Sequence, residues 1–190
     1  MTSLRTLATA LLLVVALLAT GCVTPFDAGD SSTPTAETPA TQTATPTPSP
    51  SPPPAAHEGY DQTTVTVLDA ETDAELGRVE AAVADNSSLR YTGLSDTEEL
   101  PADRGMLFVH ERERDLTYVM RKMDFGIDIV FVAENGTITS THHATAPGPD
   151  EDGNDQGYSG TGRYVLEVNY EWTAERGIEA GDRVEFELPE

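Results

Sequence analysis

Two carboxylates stand inside otherwise apolar runs, Asp128 in Ile127-Asp128-Ile129-Val130-Phe131 and Glu167 in Tyr164-Val165-Leu166-Glu167-Val168. A carboxyl on an apolar strand either faces water through alternation or is buried, and a buried one with a displaced pKa is a candidate for a site. Arg121-Lys122 is the densest basic spot, suited to clamping a carboxylate or phosphate, or to pairing with neighbouring acids. His142 and His143 are adjacent on an expected strand, so they point to opposite faces and do not ligate one metal together. The run from Asp150 to Asp155 offers oxygen ligands for a hard cation, but it lacks the distal glutamate of an EF-hand loop and reads equally as a solvated acidic loop. There is no Gly-rich phosphate loop, no Gly-x-Ser-x-Gly elbow and no cysteine metal cluster. No catalytic residue, metal or cofactor is therefore assigned, and the enzymatic alternative is an envelope-acting hydrolase or metal-dependent enzyme using Asp128, Glu167 and a histidine such as His142.

Cys22 is the only cysteine. It follows one basic residue, Arg5, an apolar stretch from Leu7 to Leu18, and Ala19-Thr20-Gly21. These are the three regions of a secretory signal, residues 1–21, whose apolar core is short for a membrane span. Ala19-Thr20-Gly21-Cys22 resembles the lipobox of lipoproteins, with Ala19 where leucine is usual; the alternative is an ordinary secreted protein. Lipidation of Cys22 would anchor the chain on the outer face of the cell membrane. A single cysteine also excludes an intrachain disulfide.

Residues 22–56 begin with Cys22 and continue in Thr, Pro, Ser and Ala, a composition with too few large apolar groups to offset ordering entropy, and so an extended, disordered stalk. Residues 57–190 then suit one domain. Asn86-Ser87-Ser88 and Asn135-Gly136-Thr137 are N-glycosylation sequons in an exported chain. The whole chain carries 33 acids against 11 bases, a formal charge of −22. Such a field repels nucleic acid. Its dispersal over nearly every segment, with Lys122 the sole lysine, resembles the proteins of extreme halophiles, where concentrated salt screens self-repulsion.

The elements that must position these groups are mostly strands. Residues 64–68 and 76–84 alternate polar and apolar side chains around a turn-rich 69–75, which predicts a hairpin. A short helix is expected within 85–94, and Ser95 with Glu98 has capping-box spacing. Apolar runs follow at 105–109, 116–120, 127–133 and 137–143, the last two joined by Asn135-Gly136, a strong hairpin signal. A long loop is expected over 146–162, strands over 164–168 and 183–188, and a helical turn over 172–176 ended by Gly177. The expected fold is mainly β: a compact antiparallel β-sandwich or barrel-like domain with one or two short helices, preceded by the disordered linker.

In this order the residues resemble the family called domain of unknown function 192. The similarity runs from about Ser87 to the C-terminus through Leu100-Pro101-Ala102-Asp103-Arg104-Gly105-Met106-Leu107-Phe108-Val109, Tyr118-Val119-Met120-Arg121-Lys122-Met123, Gly126 to Phe131, Arg163 to Glu167 and Gly177 to Val184. The second block stands where the family usually has an aromatic-Trp-Met-Lys-Asn-Thr run, so Val119 replaces the tryptophan and Lys122 the asparagine; Gly126 replaces a proline. The resemblance implies a compact, mostly β fold and no established reaction. The candidate ligand set is Tyr118, Met120, Arg121, Lys122, Asp128, Tyr158 and Glu167, and the expected partners are the membrane, through the lipid, and a small ligand, glycan or surface protein bound by a monomer.

Overall fold

The computed structural model describes His57 and residues 59–190. The expected signal segment, Cys22 and the expected stalk lie outside the described residues. Alternation builds the first hairpin: β1 (Asp61–Leu68) buries Thr63, Val65 and Val67, and pairs antiparallel with β2 (Glu75–Ala84). The turn between them is held by Asp69, whose carboxylate accepts from the amides of Glu71 and Thr72.

Helix α1 (Ser87–Thr92) starts at Asn86, whose side chain accepts from the Ser88 and Leu89 amides. The expected capping box at Ser95 and Glu98 caps no helix. Beyond Pro101 the chain enters β3 (Arg104–Val119), one 16-residue strand where two were expected. Its first half runs parallel to β2, from Glu80 opposite Arg104 to Ala84 opposite Phe108. This corrects the wholly antiparallel expectation: α1 and the segment after it form a crossover, which returns the chain in the same direction.

Strands β4 (Ile127–Val132) and β5 (Ile138–Ala144) form the hairpin expected at Asn135-Gly136, with Gly136 at φ 87 and the Asn135 side chain accepting from Thr137 N. Strand β6 (Gly157–Asn169) lies between β3 and β4, and β7 (Arg183–Glu185) pairs with β1, shorter than the 183–188 expected. The 3₁₀ turn Ala174–Arg176 ends at Gly177 in the left-handed conformation, as its sequence suggests.

The result is one seven-stranded sheet in the order β5-β4-β6-β3-β2-β1-β7. Its ends approach each other, for Ile138 N donates to Asp182 O at 2.8 Å and Val184 N to Gly136 O at 2.8 Å, so the sheet curls into a half-barrel. One face carries an apolar cluster drawn from all seven strands, including Val65, Val79, Leu107, Val130, Ile138, Leu166 and Val184, with Trp172 and Ile178 added from the turn before β7. The other face carries a second cluster, centred on Met106, Phe108, Leu116, Ile127, Ile129, Phe131 and Val165, and covered by Leu94, Leu100, Met120 and Met123 from the connections.

Candidate functional site

The second face opens into a cavity of about 440 Å³ between β3, the start of β4, Glu167 of β6 and residues 90–95 at the end of α1. Leu94, Phe108, Leu116, Met123 and Ile127 supply its apolar lining. The polar lining depends on an irregularity in β3. The ladder with β6 shifts between Val109 and Arg114, so residues 110–113 bulge out of register opposite Arg163 alone. Alternation resumes afterwards, and Phe108, His110, Arg114 and Tyr118 all line the cavity.

These side chains are linked. Arg114 lies with a guanidinium nitrogen 3.3 Å from His110 Nδ1, and His110 Nε2 is 3.0 Å from the Tyr118 hydroxyl oxygen. A guanidinium has no acceptor, so Arg114 donates and Nδ1 accepts; the neutral ring then carries its proton on Nε2 and donates it to Tyr118. The Tyr118 hydroxyl proton is left for another acceptor. Burial, with Arg90 and Arg114 nearby, pushes the His110 pKa down to about 4, which keeps the ring neutral at ordinary pH. Burial first, and the charge of Glu167 second, push Tyr118 well above the usual phenol range.

Glu167 is 5% exposed, and among the described residues nothing donates a hydrogen bond to its carboxyl. Burial pushes its pKa up to about 8, because an uncompensated charge is poorly solvated there. Three arginines line the same cavity: Arg90, Arg114 and Arg121, the last of which donates to Tyr91 O and to Ser95 Oγ at 3.2 Å and lies 3.9 Å over the Tyr91 ring.

Of the sequence candidates, Tyr118, Arg121 and Glu167 meet in this cavity. Met120 is buried in the same apolar cluster but does not line the cavity. Lys122, at φ 55, lines a separate hollow with Asp150, Glu151 and Asp152. Tyr158 packs against His142 at 5.7 Å, and His142 in turn against Phe131, beside but outside the cavity. His142 and His143 diverge as alternation requires, His142 toward Ser159 O at 2.9 Å and His143 toward Asp128 at 2.6 Å.

Asp128 is fully buried on the opposite face and accepts from four donors: Glu171 N, Thr173 N, Thr173 Oγ1 and His143 Nδ1, at 2.6 to 2.9 Å. It holds the turn that carries Trp172 into the core. In the 150–155 loop, Asp152 accepts from the amide and side chain of Asn154, and Glu151 from Gly148 N and Gln156 Nε2. Among the described residues no three His, Cys, Asp or Glu side chains are arranged to hold a metal ion. Asn86 and Asn135, the sequon asparagines, are exposed.

Sequence reasoning missed His110, Arg114 and Arg90. His110 opens the run His110-Glu111-Arg112-Glu113-Arg114, which looks like a solvated charged strand, and only the bulge reveals its burial. A longer groove of about 950 Å³ runs beside β1 and β7, but it is open, and its Arg78 is already paired with Glu75 at 2.6 Å.

No curated protein matches the chain. Two solved structures are similar to it. One, from Sinorhizobium meliloti 1021 and described as a proposed transcription regulator, is 25% identical, with a TM-score of 0.59 over 67% of this chain and 95% of that one. The other, a protein of unknown function from Novosphingobium aromaticivorans DSM 12444, is 28% identical, with a TM-score of 0.58 over 70% of this chain and 93% of that one. The family model described as uncharacterized ACR matches residues 68–186, the whole sheet from the last residue of β1 onward, and the chain belongs to this family, DUF192.

Proposed function

We propose that the domain is a non-catalytic module that binds a small ligand in the cavity of the second face, carried on an exported lipoprotein anchored through Cys22 and held off the membrane by the 23–56 stalk. One observation carries the binding reading: a cavity within the size range of small-molecule sites joins an apolar lining to a buried carboxyl that has no hydrogen-bond partner among the described residues. A bound molecule would supply the missing hydrogen bonds. The anchor reading rests on the signal-like N-terminus and the composition after Cys22. The dispersed acidity supports a salt-rich setting.

Thermal unfolding of the full chain in molar KCl, screened against amphipathic solutes, tests the binding reading. Ligands of the native state raise Tm, and Leu116→Trp, which fills the cavity, abolishes the rise; a rise that survives the substitution overturns the assignment. Mass spectrometry of the mature N-terminus should find lipid on Cys22, and Cys22→Ser should release the protein to the medium; retention of this variant at the membrane contradicts the anchor. The same chain should unfold in dilute buffer and recover in molar salt.

The enzymatic reading keeps one specific support, since a carboxyl with its pKa raised to about 8 beside Tyr118, which in turn is hydrogen-bonded to His110, suits a general acid. Turnover of a bound solute that disappears in Glu167→Gln would replace the binding reading with it.

A further inference from the structure

Eight of the nine arginines among the described residues, all but Arg104, fall into two groups. Arg78, Arg163, Arg176 and Arg183 each have a carboxylate within reach: Glu75 at 2.6 Å, Glu134 at 2.5 Å, Glu175 at 3.5 Å and Asp73 at 2.9 Å. Arg90, Arg112, Arg114 and Arg121 form no ion pair among the described residues. Arg90 donates to the carbonyls of Asp85 and Val109 at 2.6 and 2.8 Å, and Arg114 and Arg121 have the neutral partners described above.

With 33 acids against 11 bases, an arginine lacking a carboxylate is the unexpected case in this chain. Yet these four converge. Arg90, Arg114 and Arg121 line the cavity, and Arg112 lines a hollow of about 210 Å³ that shares Arg90, His110 and Arg114 with it. The acids facing the same space are Glu111, Asp115 and Glu167. Asp115 already accepts from Thr161 Oγ1 at 2.7 Å, and Glu167 is buried too deeply to carry its charge easily. Among the described residues no carboxylate is ion-paired with this cluster of guanidinium groups, whose forked donors match carboxylate and phosphate oxygens.

We infer that the ligand is an amphipathic organic anion, its carboxylate or phosphate held by Arg114 and Arg121 and its apolar body lying on Leu94, Phe108, Leu116 and Met123. This rests on the reading of the cavity as a ligand site. A soluble acid and a membrane lipid share this chemistry.

Calorimetric titration of the full chain bearing Cys22→Ser, in molar KCl, tests it with four probes: octanoate, octyl phosphate, octanol and octyltrimethylammonium. At least one anion should bind about ten-fold more tightly than octanol, the scale of a charge-assisted hydrogen bond. Arg114→Gln and Arg121→Gln together should bring that anion down to the affinity of octanol, and unchanged octanol binding shows that the cavity is intact in the variant. Leu116→Trp should abolish binding of both. Equal affinity for octanol or the cationic probe, or anion binding indifferent to the arginine substitutions, overturns the anion inference and leaves the cavity reading standing. Anion binding that survives Leu116→Trp, or the failure of all four probes, overturns both. Sedimentation with phosphatidylglycerol vesicles that the paired arginine substitutions abolish assigns the anion to a lipid; octyl phosphate binding without sedimentation assigns it to a soluble molecule.

Discussion

Asp128 and Glu167 lie on neighbouring strands of one sheet, Asp128 opposite Val168 and Ile129 opposite Glu167, and both are buried. Alternation sends them to opposite faces, and there the likeness ends. Asp128 meets four donors and fixes the turn bearing Trp172. Glu167 meets none among the described residues, and its pKa rises to about 8. Burial of a carboxyl therefore does not mark a site in this sheet. What separates a structural acid from a candidate functional one is whether the fold supplies its partners.

The comparison breaks most visibly at Asp128. Asp128→Ala leaves the Thr173 and Glu171 amides and the Thr173 hydroxyl without their acceptor, and should destabilise the domain by about 3–5 kcal/mol in denaturant unfolding. A loss below about 1 kcal/mol would make the two acids alike.

Glu167→Gln sharpens the contrast through pH. The folded pKa of Glu167 lies above the ordinary 4.5, so the unfolded chain ionises this carboxyl first. The stability it contributes is complete below about pH 4.5 and is lost as pH rises to about 8. Wild type should therefore lose about 4 kcal/mol relative to Glu167→Gln between pH 5 and 9. His110 has the opposite sign: its folded pKa of about 4 is depressed below 6.5, so its contribution is present above pH 6.5 and lost as pH falls toward 4. It partly offsets Glu167 on the acid side, and the wild-type decline should be steepest between pH 6.5 and 8. A flat difference between wild type and Glu167→Gln would remove Glu167 from its special position.

The smallest effect is expected at Lys122, which holds φ 55 on an exposed connection. Lys122→Gly should stabilise by about 1 kcal/mol by relieving left-handed strain, and Tm measured at fixed salt reads it. The asparagine usual in the family at this position suits the same conformation. Lys122 is thus a backbone position in a separate hollow, and Arg121 beside it is the residue that reaches the cavity.

The parts of the fold fixed by local chemistry were legible: the β1–β2 alternation, the Asn135-Gly136 turn and the Gly177 cap each follow from neighbouring residues. The parallel pairing of β2 with β3 was not, because it depends on a crossover whose direction no local signal encodes. The start of β6 looks like loop in the sequence because Gly157, Gly160 and Gly162 resemble breakers. In the fold, a Cβ at Gly160 would run into the Phe131 ring and one at Gly162 would press on the Val132 carbonyl, so these glycines admit close neighbours. Glu167 stood out in the sequence as an acid among apolar residues. Its companions His110 and Arg114 did not, since residues 111–115 are exposed as a charge run suggests, and only the register shift beside them places His110 and Arg114 on the cavity wall.

Direct titration of the Glu167 carboxyl by ¹³C NMR, with and without whichever of octanoate and octyl phosphate binds more tightly, is the most direct test. The midpoint should lie near 8 in the free protein and rise further when the anion occupies the cavity, because a second negative charge opposes ionisation. A midpoint in the ordinary carboxylate range, or one that ignores the anion, would contradict the cavity reading.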